Sequence, residues 1–258
     1  MPHGNKTIAD RNQYVVKAND LIRKTRYNLT TQQQKIVLFA VSKIKPNDTS
    51  DTVYEIGLTE LAAACGLKID NGGYYYWALK DDIKELTQRS WCGMPDGTES
   101  TVSWIGDAEI SPGTATVKIK FHKQMAPFLF ELREKYTQYK LQNVLAFKGK
   151  YTIRLYEILR SHITQKMLDE GRESDIMMPI ESLRDTLMVS SYPRWADFDR
   201  FIIRKSVMEI NQYADDIHVD YRPIKKGKSI ASVNFVISQA GIRQQWEAHQ
   251  GSRERLNR

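Results

Sequence analysis

Cysteine is almost absent, with Cys65 and Cys92 the only two in 258 residues. They are too far apart for a CxxC motif, and a chain of this size needs no disulfide staple, so both read as free thiols of a reducing compartment. His3, His122, His162, His218 and His249 are isolated from one another, which removes the paired histidines required by a metal-dependent DNA nickase. Gly227-Lys228-Ser229 copies the end of a phosphate-binding loop, but Arg222 stands where that motif needs its first glycine. No enzymatic site, metal or other cofactor is therefore expected. No apolar run approaches the ~18 residues of a spanning helix. Residues 1–12 also lack the apolar centre of a signal peptide, so the expectation is a soluble cytoplasmic protein with no membrane partner.

What is present is an ordinary globular composition with an excess of positive charge. Hydrophobic residues make up 41% and charged residues 27%, enough for two folded domains, and the net charge of +7 favours a polyanionic partner. Residues 1–138 carry 18 Lys and Arg against 16 Asp and Glu, whereas residues 139–258 carry 20 against 15. The second half is thus expected to be the main anion binder.

The chain also repeats itself. Ile56-Gly57-Leu58-Thr59-Glu60-Leu61 precedes an apolar stripe of Leu79, Ile83 and Leu86; Met178-Pro179-Ile180-Glu181-Ser182-Leu183 precedes Ile203, Val207 and Ile210. Both stripes have the i, i+4, i+7 spacing of one helix face. The offset is 122 residues at Leu61/Leu183 and 124 at Leu79/Ile203, so the second copy needs only a two-residue insertion. Each pair of helices is followed by strand patterns: Ser90 onward, 101–105 and 114–121 in the first copy, and 217–221 with 233–237 in the second. Helix, turn, helix, hairpin is the winged-helix plan. The fold expected is α+β, two tandem winged-helix domains at 13–138 and 139–238 related by an internal repeat, between a disordered N-terminus at 1–12 and a polar tail at 239–258. Further expectations are a strand and turn over 15–22, a helix opened by Thr30 or Thr31, a helix ended by Gly66, one over 123–134, one over 149–166, and one running from Pro193 to about Tyr213. A short segment over 132–147 joins the two domains.

In a winged helix the second helix enters the DNA major groove while the hairpin meets the backbone. Winding 193–213 at 100° per residue puts Phe198, Ile202, Ile203, Ser206, Val207 and Ile210 on one side and Arg194, Asp197, Arg200 and Arg204 on the other. Arginine forks match guanine O6 and N7, and Asp197 can orient an arginine or accept from cytosine, so these four are the candidate base readers; the plain alternative is a solvated face with internal ion pairs. Lys225, Lys226 and Lys228 surround Gly227 at the hairpin tip and, with Lys205, are candidate phosphate contacts. The matching first-domain helix shows Trp77, Lys80, Asp81, Lys84, Glu85 and Gln88, near neutral in sum. There Lys80 and Lys84 touch phosphates, or the face packs on another subunit, or it is merely solvated. Lys148, Lys150 and Tyr151, where a helix begins, suit a phosphate or form a simple basic loop.

With these stretches assembled, the chain resembles the replication initiator (Rep) proteins of iteron-containing theta-replicating plasmids. The resemblance covers roughly 13–238 and is carried by Val16-Lys17-Ala18-Asn19-Asp20-Leu21-Ile22-Arg23, Leu29-Thr30-Thr31-Gln32-Gln33-Gln34-Lys35-Ile36, Phe147-Lys148-Gly149-Lys150-Tyr151-Thr152-Ile153-Arg154-Leu155-Tyr156-Glu157-Ile158-Leu159 and the helix over 198–211 before its wing. It implies monomers bound to directly repeated iterons of double-stranded DNA, a homodimer in equilibrium with them that represses its own gene through an inverted-repeat operator, and recruitment of the host initiator and replicative helicase. The rival is a winged-helix transcriptional regulator with no initiator role. Tandem repeats beside the gene would favour initiation, a lone operator repression.

Overall fold

The boundary between the two halves falls later than the sequence places it, because the segment read as a connector is structured. A strand over Tyr136–Lys140 pairs with the strand over Tyr14–Ala18 and runs into a helix over Leu141–Ala146. The chain therefore divides into Met1–Ala146 and Phe147–Arg258, and a cut after residue 138 would split a hydrogen-bonded strand. Lys140 passes to the first unit, which leaves net charges of +3 and +4, so the bulk charge asymmetry almost vanishes. The computed structural model describes residues 14–69, 73–88, 90–93 and 96–241; the N-terminus expected to be disordered and residues 242–258 of the tail lie outside them.

In the first unit β1 (Tyr14–Ala18) leads directly into α1 (Asn19–Arg23), a helix where only a turn was expected. α2 (Thr31–Ser42) opens on a capping box: the Gln33 amide donates to Thr30 Oγ1 at 3.1 Å and the Thr30 amide to Gln33 Oε1 at 3.0 Å. β2 (Tyr54–Gly57), α3 (Leu58–Cys65) and α4 (Tyr74–Thr87) follow, with Gly66 at φ 73° ending α3 as expected of a glycine C-cap. Next come the β3 (Ser90–Gly93) and β4 (Glu99–Val102) hairpin, then the β5 (Ile105–Ser111) and β6 (Thr116–Phe121) hairpin. β5 escaped the sequence reading because Gly106 to Glu109 are exposed along it and show no apolar alternation. The helix expected over 123–134 is only a 3₁₀ turn and α5 (Ala126–Leu129): Phe130 is extended, and Glu131 and Lys135 have positive φ. β7 (Tyr136–Lys140) and α6 (Leu141–Ala146) complete the unit.

The second unit begins with α7 (Lys150–Ser161). Ile153, Leu155, Tyr156, Leu159 and Ile163 are buried as expected, but so are Arg154, Glu157 and Arg160, so α7 is covered all round rather than amphipathic. Its buried cations are partnered: Arg160 Nε meets Asp216 at 3.0 Å while its Nη1 donates to the Ile163 carbonyl at 2.6 Å, and Arg154 lies 3.6 Å from Glu157. The helix read over 149–166 breaks at His162, and Thr164, which accepts from the Met167 amide at 3.2 Å, caps a separate α8 (Gln165–Asp169). β8 (Ser174–Pro179), α9 (Ile180–Thr186), α10 (Trp195–Phe198) and α11 (Arg204–Tyr213) come next, with a π-helical turn over Asp199–Ile203 joining the last two into one rod. Pro193 lies before Arg194, which is the N-cap, and so outside the first turn where it was expected. β9 (Ile217–Lys226) and β10 (Ser229–Gln239) form the closing hairpin.

The repeat is real in three dimensions. The sheets run β2-β6-β5 and β8-β10-β9, so in each copy the strand before the helix pair joins the last strand of the hairpin, which shields that strand on both edges. Leu61, Leu79, Ile83 and Leu86 and their counterparts Leu183, Ile203, Val207 and Ile210 are all buried. The β3–β4 hairpin is an insertion found between α4 and β5 only.

Candidate nucleic-acid interface

The second helix of the second unit is tethered at both ends. Before α10, Arg184 of α9 donates to the carbonyls of Ser191 at 3.2 Å, Tyr192 at 2.6 Å and Pro193 at 3.4 Å while its guanidinium lies 4.0 Å over the Phe198 ring. Three carbonyls converging on one fork fix the turn, which carries positive φ at Met188 and Tyr192. Tyr192 in turn stacks on Phe201 with ring centroids 5.0 Å apart. At the far end Asn211 clamps the wing strand: its amide nitrogen donates to the Val219 carbonyl and its oxygen accepts from the Val219 amide, both at 2.8 Å. Helix and wing are thereby held to one another by a two-way backbone contact.

The side expected inward, Phe198, Ile202, Ile203, Ser206, Val207 and Ile210, is buried throughout. Of the four candidate base readers, Arg194 sits at the N-cap, 86% exposed and 3.2 Å from half-exposed Asp197, so this pair matches the internal ion pair that the sequence left open. Arg200 is exposed, 5.2 Å over the Phe201 ring. Arg204 is exposed too, but Nη2 lies 2.5 Å from Asp199 Oδ2. Lys205 is exposed next to it. The sequence reading missed Phe201 and Met208, both open to solvent on this same helix; Phe201 falls four residues after Asp197 and three before Arg204, the spacing that could have revealed it. Lys225, Lys226 and Lys228 are all exposed around Gly227, whose φ of 63° suits the two-residue turn between Lys226 and Ser229. The arrangement presents a row of guanidinium and ammonium donors on one helix and three more on a hairpin tip, which is what groove and phosphate contacts require.

The other candidates stand differently. Lys80 and Lys84 are exposed on α4, yet Lys80 leans over Trp77 at 4.9 Å and shares its face with exposed Asp81 and Glu85. Lys150 lies over the Tyr151 ring at 4.9 Å. Near the start of α7 the amides expected to meet a phosphate already have an anion. The Lys148 amide donates to Glu209 Oε1 at 2.6 Å and the Gly149 amide to Oε2 at 3.2 Å, with Glu209 reaching across from α11. A side chain on Gly149 would come within 2.6 Å of Thr152 Oγ1, which is why glycine stands there.

Fold and face together define a tandem winged-helix protein whose second unit displays cations on its second helix and wing. Residues 14–160 match the family model described as Initiator Replication protein, WH1, and residues 179–237 that described as Initiator Rep protein, WH2. The chain belongs to this family of replication initiators. A curated replication initiation protein of Escherichia coli is 25% identical over 206 residues, covering 78% of this chain and 63% of that relative, so the chain spans less than two thirds of its length. The solved structure of the Pi initiator protein in complex with iteron DNA has 18% identity and a TM-score of 0.70, covering 90% of this chain and 100% of that one, a likeness of fold. Among the described residues no helix is long and apolar enough to cross a membrane.

Proposed function

We propose that this chain initiates replication of a plasmid by binding directly repeated iteron DNA, each repeat taken by a monomer, and that a dimer represses the chain's own gene at an inverted repeat. The observation that carries the reading is the joint exposure of Arg200, Arg204 and Lys205 on one helix and of Lys225, Lys226 and Lys228 on the wing bound to it through Asn211. The second unit then reads bases; α4 of the first, where Asp81 and Glu85 offset Lys80 and Lys84, is too near neutral to read a groove, and it supplies backbone phosphate contacts through the two lysines or a dimer face instead. Contacts to a host initiator and helicase complete the role.

Footprinting of the full chain on the DNA flanking its gene tests this. A ladder of protected direct repeats of about two helical turns each supports initiation; protection of a single operator alone overturns it in favour of a simple regulator. Replacing Arg200 by Ala should cost about 1–3 kcal/mol on the specific site and relax its sequence preference. The same loss on random DNA would make Arg200 a phosphate contact.

A further inference from the structure

The π-helical turn over Asp199–Ile203 creates a contact that a regular helix forbids. At 100° per residue, positions five apart point to different faces, so Asp199 and Arg204 would not meet. Here they do, and Asp199, 7% exposed, accepts twice: from Arg204 Nη2 at 2.5 Å on Oδ2 and from the Tyr221 hydroxyl at 2.5 Å on Oδ1. Tyr221 belongs to β9, the strand that leads to the lysines of the wing tip. One carboxylate thus links the recognition helix to the wing.

We infer that Asp199 and Tyr221 are positioning residues for DNA recognition: they hold the exposed Arg204 guanidinium in one orientation, leaving its remaining N–H groups to face the groove. The inference rests on the reading of α10 and α11 as the base-reading helix. An exposed arginine loses rotamer freedom when it is ordered on binding, and a guanidinium ordered beforehand loses less. Tyr221 keeps its proton, because burial, followed by the hydrogen bond to Asp199, pushes its phenol above the usual range, so it stays a donor to the carboxylate. The π turn has a use in this light, as such turns often do at functional sites.

Removing the Asp199 charge and removing its hold on Arg204 have opposite effects on DNA binding. Asp199 is an anion beside a DNA-binding face, so if charge alone mattered, Asp199→Asn would tighten binding to any DNA. Binding of the full chain is measured on a duplex selected by the wild-type protein from a randomised library and on a scrambled duplex of the same composition. Asp199→Asn should weaken binding to the selected duplex about 2- to 12-fold, the cost of ordering one long side chain, while the scrambled duplex is bound as well or better. Tyr221→Phe should move the same way, less far. In an Arg204→Ala background, Asp199→Asn should cause no further loss on the selected duplex. Tighter binding to both duplexes, or a loss that adds fully to that of Arg204→Ala, overturns the inference. If Asp199→Asn does not fold, Tyr221→Phe decides alone: a loss confined to the selected duplex supports the role, and unchanged discrimination overturns it. Should Arg204→Ala leave the selected duplex unaffected, base reading by Arg204 fails together with the inference; a costly Arg204→Ala beside a neutral Asp199→Asn sinks the inference only.

Discussion

Replacing Glu209, a buried carboxylate of α11, should loosen the second unit. Its side chain is almost wholly buried and accepts from the Lys148 and Gly149 amides, at 2.6 and 3.2 Å, next to the start of α7. Charge-assisted hydrogen bonds contribute about 1.5–3 kcal/mol each when shielded, and a carboxylate at a helix N-terminus adds ~0.3–1 kcal/mol. Lys148 is exposed and Gly149 half-buried, so water recovers part of the loss; Glu209→Ala should therefore cost about 2–3 kcal/mol. Glu209→Gln keeps a neutral acceptor for one amide and should cost about 1 kcal/mol. With a slope near 2 kcal/mol/M, the alanine variant should move the urea midpoint down by about 1 M or somewhat more. Equilibrium unfolding of the full chain, followed by far-ultraviolet circular dichroism, is the assay. A transition superimposable on the wild type for Glu209→Ala refutes the capping role, and equal losses for Ala and Gln would assign it to charge rather than to hydrogen bonding.

Three further outcomes are expected. Changing Lys225, Lys226 and Lys228 together to Ala should flatten the log-log salt dependence of DNA binding by about 0.9 per lost phosphate contact while keeping sequence preference; an unchanged slope removes the wing from the interface. Leu61→Ala and Leu183→Ala, equivalent and fully buried in the two copies, should each cost about 2–5 kcal/mol in denaturant unfolding, and a cost below ~1 kcal/mol at either would deny that position its core role. Partial burial pushes the Cys65 thiol up to about 12, so at pH 8 in a Cys92→Ser background it should alkylate more slowly than an ordinary thiol. The sign for stability follows: the thiol ionises more readily unfolded, so its destabilising effect begins as pH rises through the unfolded range near ~8.5 and grows toward the folded value. Alkylation at a normal rate would contradict the burial.

The internal repeat and the inward set of α10 and α11 could be read from residues alone, since an apolar period and glycine or proline punctuation are local signals of burial. The same logic failed where burial and polarity coincide. α7 reads as amphipathic because Arg154, Glu157 and Arg160 are charged, yet all three are buried with partners. It failed again where a strand is exposed, as at β5, and where Tyr136–Lys140 gains its structure only from β1, whose residues lie far earlier in the chain.

The candidate site divides along the same line. Exposure of Arg200, Arg204, Lys205 and the wing lysines was legible, because an outward helix face and a glycine turn are set by neighbouring residues. Which of these cations already has a partner was not legible. Asp199 and Tyr221 are 22 residues apart and Glu209 lies 61 from Lys148, and nothing in their spacing announces a bond. By itself the sequence determined two winged-helix copies, their apolar core positions and the positive outward face of the second copy, all of which follow from short-range periodicity. Only the tertiary structure decided the domain boundary, the π turn, the Arg184 and Asn211 tethers, and the occupation of the α7 start by Glu209, because a buried polar group must find its partner in space wherever the chain has folded it.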